Sequence, residues 1–455
     1  MFGNVTKMKF YRPRHHITPH AGWINDPNGF CYFKGQYHLF AQHNPHGLSW
    51  GPMHWLHFVS KDLVHFEEVG IALYPSESYD QEFGCFSGSA IAIDGVLHLY
   101  YTGVNGSHQT QCLATSTDGI HFTKFAGNPI LERTSLPRQY LETDFRDPKV
   151  FQKEGSLYMV VSCRHEEGYG SILLFKGLTP THFVFVNVLA SFPELLSPNV
   201  DPNGHPIYGM CECPDVLFLG EEVALMASLQ FQPRVGNSFQ NVHSVVYSLG
   251  KLDLTRGVFT PKTPFLELDH GFDIYATQSL QEGDKTYLVY WENMWDDQNY
   301  PDRKEGYCGA LSSIRTVTIK DDRLVLNWLP KMKEETNHQV LQIEVKQEDN
   351  ELLLGKNILI SFHPSTQTCD ISRVNMDEPI RFQDGTLRQK RTFDLSLKNQ
   401  VTLEYCIDRS CAEISLNEGE VSFSLRIYGY SDSDEVKISS SGLGIQIKAP
   451  EQKGK

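Results

Sequence analysis

Asp26 stands between two asparagines, a proline and a glycine, in the stretch Trp23-Ile24-Asn25-Asp26-Pro27-Asn28-Gly29. A carboxylate in such company packs poorly. Asn, Asp, Pro and Gly are also the residues that turns use for their backbone angles, so the stretch alone reads first as a turn. Its register with four later stretches argues for a site. Asp26, Ser87, Asp147, Glu212 and Tyr275 stand eight or nine residues before Gly35, Gly95, Gly155, Gly220 and Gly283, and all five are polar at the start of otherwise apolar strands. If these are equivalent positions of a repeated unit arranged in a ring, three carboxylates and two hydroxyls converge on one pocket. Buried carboxylates are costly unless paired or working, so the convergence points to proton and charge chemistry.

The elements that would position these groups follow from the same glycines. Each precedes a short run rich in aromatic and aliphatic residues, such as 36–42, 96–101 and 285–291, and the glycines recur at steps of 60, 60, 65 and 63 residues. Five units of that length, each enough for about four short strands, predict a five-bladed β-propeller over residues 1–329. Residues 134–143 and 232–240 read as loops at the pocket rim or the blade edges. The polar segment 330–339 reads as a linker. Beyond it Val340, Leu341, Ile343 and Val345, then Phe393, Leu395 and Leu397, then Leu403, Tyr405 and Ile407 alternate as in a β-sandwich spanning 340–455. The chain is therefore expected to be all-β, with no helix of consequence and with frayed residues at 450–455.

The 455 residues carry a formal charge of −15 and a pI near 5.7, which argues against nucleic acid and anionic membranes as partners. No apolar run approaches a bilayer span. Residues 1–16 hold Lys7, Lys9, Arg12 and Arg14 but no apolar core of a secretory signal, and the ten cysteines have no framework spacing. The thiols are thus expected to be reduced in a cytoplasmic protein. Cys211 and Cys213 flank Glu212, and strand alternation would turn both away from the face that Glu212 occupies. His15, His16 and His20 lie within six residues, but Pro13 and Pro19 favour an extended entry strand over a metal site. Trp50 and Trp55, near the amides of Gln42 and Asn44, suit a sugar, whose C–H patches pack on aromatic faces while its hydroxyls seek amides and carboxylates.

Trp23 to Gly29, Phe145-Arg146-Asp147-Pro148 and Glu212-Cys213-Pro214-Asp215, in that order, resemble the invertase, or β-fructofuranosidase, family of retaining glycosidases, glycoside hydrolase family 32. The likeness extends to residues 60–66, 86–90 and 407–414. Residues 249–253 and 268–273 look most like bacterial sucrose-6-phosphate hydrolases. The resemblance implies Asp26 as nucleophile, Glu212 as general acid/base and Asp147 as a transition-state stabiliser. It implies sugar-binding roles for Asn25, Gln42, Trp50, Phe86, Ser87, Arg146, Tyr275 and Trp291, and no metal or organic cofactor. Cys211 departs from the tryptophan that often precedes the family's acid. Substrates would be sucrose 6-phosphate, sucrose or short fructans, without a nucleic acid or membrane partner.

Such a reaction needs Asp26 charged and Glu212 protonated. Two anions near Glu212 would favour that, with hydrogen-bond donors holding Asp26 low. Arg146 would serve to keep Asp147 ionised, although neighbouring strand residues point to opposite faces. An inverting pentosidase, a fructosyltransferase and an inactive sugar-binding propeller are the rival readings. The reduced thiols and missing leader suggest a substrate phosphorylated on import, which would require a local Lys, Arg or His at the pocket mouth. Asp408, Arg409 and Glu413 read as an exposed polar face or a domain contact rather than a second site.

Overall fold

The computed structural model of the chain describes residues 11–195, 209–295, 300–381, 387–397, 399–429, 438–441 and 444–448; residues 450–455 lie outside them. Strand formation begins at the hairpin turns. Lys34-Gly35, Asp94-Gly95 and Glu154-Gly155 have positive φ at both residues, 48° and 81°, 50° and 77°, 51° and 75°. These are the angles of the two-residue turn whose twist matches paired antiparallel strands. A Cβ on any of the three glycines would meet nothing within 4 Å, so the required backbone angle, not crowding, selects glycine there.

These hairpins belong to the first three of five successive sheets of the described residues, with the strands Gly22–Phe33, Gly84–Ile93, Tyr140–Lys153, Cys211–Leu219 and Tyr275–Glu282 innermost. Each innermost strand packs against the next in chain order, and the fifth packs against the first. The ring is a β-propeller. It is fastened by Tyr307–Cys308, which pairs in parallel with Gly22 and Trp23. An outer turn repeats as well: Asp62 accepts the N–H groups of Val64 and His65, and Asp118 accepts those of Ile120 and His121. The motif Ser-x-Asp-x-x-His-Phe recurs at 60–66 and 116–122 and was a second repeat signal available in the sequence.

A β-sandwich follows, with two sheets of five strands each. Leu341, Ile343, Leu352, Ile360, Ile371, Phe393, Leu403, Tyr405 and Ile414 fill the space between them. The expected linker is largely structured: Pro330–Glu335 is a short α-helix and the first sandwich strand, Asn337–Glu344, begins at once. The polarity of this segment has a cause in docking. Lys331 Nζ lies 2.5 Å from Asp62 Oδ2, and His338 and Lys333 both bond Glu404.

The sandwich is joined to the propeller by buried ions. Asp273 accepts hydrogen bonds from Tyr300 (2.7 Å), the Arg373 guanidinium (2.6 Å) and the Arg426 backbone N–H (2.8 Å). Asp269 accepts from the Ser424 N–H and hydroxyl, both at 2.9 Å. Asp408 accepts the backbone N–H groups of Arg14, His15 and His16, and Glu413 accepts from Ser313 and Trp328 and faces Arg315 at 3.2 Å. Of the two alternatives for these residues, the domain contact is the one observed, because both carboxylates are buried. The loop 232–240 also reaches the sandwich rather than the pocket: Asn237 donates to Asp394 and Gln240 to the Thr392 carbonyl.

Candidate active site

At one level of the ring the register of all five innermost strands slips, between Ile24 and Pro27, Phe86 and Gly88, Arg146 and Lys149, Glu212 and Asp215, and Tyr275 and Thr277. A β-bulge places extra residues opposite one partner and locally breaks the two-residue alternation of faces. Asp147, Cys213 and Ala276 take positive φ there, 66°, 47° and 47°. The consequence is that neighbours in sequence reach one pocket together: Asn25 with Asp26, Phe86 with Ser87, Arg146 with Asp147. Alternation therefore misjudges two side chains. Arg146 and Asp147 are on the same side, and Cys213, expected to face away, sends its thiol to within 3.6 Å of Asp26 Oδ2.

The bulges bring all three carboxylates into a cavity of about 480 Å³. Asp26 Oδ2 accepts the Ser87 hydroxyl at 2.6 Å, and its Oδ1 accepts Asn25 Nδ2 at 3.0 Å, while Asn25 Oδ1 is itself held by Trp23 Nε1 at 2.9 Å. Asp147 Oδ2 accepts the Cys213 N–H at 2.8 Å. Glu212 Oε1 accepts from Arg146 Nε and Nη2 at 3.1 and 2.8 Å, and Oε2 from Tyr275 at 2.6 Å. Arg146 thus hydrogen-bonds Glu212 and acts on Asp147 only through its charge, and its third nitrogen lies 2.6 Å from Asp144 Oδ1.

The electrostatics differ from the sequence expectation. Burial raises Asp26 above the usual carboxylate range, and the nearby Glu212 adds to this; the hydrogen bonds from Ser87, Asn25 and Cys213 offset only part. Asp147 is pushed up to about 7 by burial, against the pull of Arg146 and with Glu212 and Asp26 assisting. Glu212 does not sit among anions alone, since its closest charged neighbour is a guanidinium. Burial likewise opposes ionisation of Asp144, but Arg146 and Arg164 outweigh it and hold Asp144 low.

Asn25, Gln42, Trp50, Phe86, Ser87 and Arg146 line the cavity, and Tyr275 reaches it through its bond to Glu212. Trp291 does not. It is fully buried beneath Trp23 and Trp295, and Trp295 lines the cavity in its place, alongside Trp50. Sequence reasoning also missed Phe83, Gln109, Asp144 and Gln230. Asp144, two residues from Arg146 and three from Asp147, carried a signal in its spacing; Gln109 and Gln230 sit at strand ends with none. Of the early histidines, His16 is buried with Nδ1 3.0 Å from Asp408 and Nε2 facing Glu292 and Glu413. Burial disfavours its proton, but these carboxylates outweigh that and raise His16 to about 10. His15 lies 3.4 Å from Glu335 in the domain contact, and the exposed His20 lies 3.1 Å from Glu68.

The family model "Glycosyl hydrolases family 32 N-terminal domain" matches residues 16–328, and "Glycosyl hydrolases family 32 C terminal" matches 313–449. A sucrose-6-phosphate hydrolase of Zymomonas mobilis is 34% identical over 89% of this chain and 76% of its own length. A raffinose invertase of Escherichia coli is 34% identical over 94% of this chain and 91% of its own. Among solved structures, a Bombyx mori family 32 β-fructofuranosidase in complex with sucrose superposes with a TM-score of 0.81 at 30% identity, covering 96% of this chain and 93% of the other. Both family models match in order, the two relatives align over most of the chain, and the same propeller and sandwich recur in the solved enzyme, so the chain belongs to glycosyl hydrolase family 32.

Proposed function

We propose that the chain is a β-fructofuranosidase that cleaves the terminal fructosyl bond of sucrose or sucrose 6-phosphate by double displacement. The observation that carries the reading is the convergence of Asp26, Asp147 and Glu212 on one cavity with aromatic walls. Asp26, steadied through both oxygens by Ser87 and Asn25, attacks the anomeric carbon, and the bond to the glucosyl oxygen breaks as Glu212 delivers a proton to it. Glu212 then takes a proton from water, which displaces Asp26 and releases fructose with its configuration retained. In this cycle Arg146 and Tyr275 orient the Glu212 carboxyl through the bonds they already make to it. Asp147, with one oxygen tied to the Cys213 N–H, accepts hydrogen bonds from fructosyl hydroxyls. Ten buried cysteines, none in a disulfide, support a reducing, cytoplasmic setting.

NMR of the product freshly released from sucrose tests this reading. β-Fructofuranose appears first under double displacement, whereas α-fructofuranose before mutarotation would require single displacement, and no release of reducing sugar would remove the activity.

A further inference from the structure

The cavity divides by chemistry. Its floor holds the carboxylates, while Trp50, Phe83, Phe86, Gln109, Gln230 and Trp295 supply aromatic faces and neutral amides around them. Trp50 is 41% exposed and lies alongside Phe83 with ring centroids 6.2 Å apart. Such surfaces suit a neutral sugar. Among the described residues that line the cavity, Asp26, Asp144, Asp147 and Glu212 face a single cation, Arg146; with Glu212 holding the proton it delivers and the other three carboxylates ionised, the formal charge is −2. Arg146 is already committed: Nε and Nη2 donate to Glu212, and Nη1 to Asp144 and Gln109. Two basic side chains adjoining described lining residues are also engaged. Arg164 donates to Asp144 and the Gly168 carbonyl, and His108 is bonded to Glu142.

We propose that this active site selects a neutral aglycone and discriminates against a phosphate on the glucosyl unit. The inference rests on the β-fructofuranosidase reading and narrows its substrate class. A phosphate dianion bound in the outer cavity meets the summed field of these carboxylates within low-dielectric walls, and the protein's charge of −15 adds repulsion at long range. Among the described residues, the cation that lines the cavity is spent on positioning Glu212 and Asp144.

The test compares kcat/KM for sucrose, sucrose 6-phosphate and raffinose at pH 7, each at low and high ionic strength. Raffinose carries a neutral galactosyl group on the same glucosyl oxygen, so it separates charge from bulk. Sucrose 6-phosphate is expected to fall at least about tenfold below sucrose, with raffinose well above it. Added salt should narrow the gap between sucrose and its phosphate, because screening weakens repulsion. In Gln230→Lys the ratio of phosphate ester to sucrose should rise by at least about fivefold. Equal or better turnover of sucrose 6-phosphate, or a preference for it that salt weakens, would overturn the proposal, as would raffinose failing as badly as the phosphate ester. A Gln230→Lys ratio left unmoved would count against it too. Loss of turnover on all three substrates is a different result, which removes the activity itself.

Discussion

Asp26 and Glu212 are expected to part company when the leaving group is changed. Asp26→Asn removes the attacking oxygen, so every β-fructoside should lose activity by ~10⁴-fold or more, whatever its aglycone. Glu212→Gln removes the proton donor. An aryl fructoside with a good leaving group should then still fructosylate the enzyme far better than sucrose does, and azide, which needs no base, should speed turnover. Equal loss on both substrates with no azide effect would move the acid role to Asp147. A pH profile probes Asp26 directly. Its carboxyl is raised by burial and must be ionised to attack, so kcat/KM should fall as pH drops through that raised value. Ser87→Ala deletes the 2.6 Å donor that favours the charged form, and its acid limb should move to higher pH. An unmoved limb would assign it to another group, with Asp147 the first candidate.

At the scale of the strand, the bulges decide which side chains meet. Gly88 immediately follows Ser87, and a Cβ there would lie 1.9 Å from the Tyr100 carbonyl oxygen and 2.8 Å from Tyr101 Cα. Backbone cannot yield as a side chain does. Gly88→Ala should therefore cost about 2–3 kcal/mol and displace Ser87 from Asp26. Thermal unfolding and the pH profile together check this: a variant with wild-type melting and an unchanged acid limb would mean that the second sheet absorbs the methyl elsewhere. The glycines of the hairpin turns behave differently, since Gly95 has open space around it and only its φ of 77° to protect.

At the scale of the molecule, the propeller and sandwich are held by charges that must stay paired. Asp273→Ala would leave Arg373 and Arg388 facing a gap at 0% and 1% side-chain exposure, a loss of roughly 3–5 kcal/mol for breaking a buried pair from one side. Denaturant unfolding measures it, and a cost under about 1 kcal/mol would mean that water replaces the carboxylate. His16 makes the contact pH-dependent. Its folded value of about 10 lies above the ordinary 6.5, so the protonated ring stabilises the fold fully below pH ~6.5, and that stabilisation declines as pH rises and is gone above about 10. The stability difference between wild type and His16→Gln should shrink over that window; a difference constant from pH 6 to 10 would show that His16 does not carry the charge.

Much of this was legible before any coordinates. Glycine spacing marks hairpins because a two-residue turn needs positive φ wherever it occurs, and alternating Leu341, Ile343 and Val345 mark a buried sheet face because successive strand side chains point oppositely. The three carboxylates that share the cavity were likewise visible, since Asp26, Asp147 and Glu212 stand eight or nine residues before the turn glycines. What periodicity could not supply lay where the period breaks. A bulge turns Cys213 toward Asp26 and lets Arg146 share a pocket with Asp147, and only paired strands reveal where the extra residues fall. Trp291 and Trp295 are alike in type and four residues apart, yet one is sealed under the other by packing from Trp23. Which anion Arg146 holds, and hence what charge the pocket offers a substrate, is a matter of distances across three sheets. The sequence determined the turns, the strands and which carboxylates stand in register with them, because local backbone geometry and residue spacing suffice for those. Tertiary structure alone decided the electrostatics, because burial, which raises Asp26 and Asp147 most, and the pairing of Glu212 with Arg146, 66 residues away in the chain, both arise only when the sheets pack.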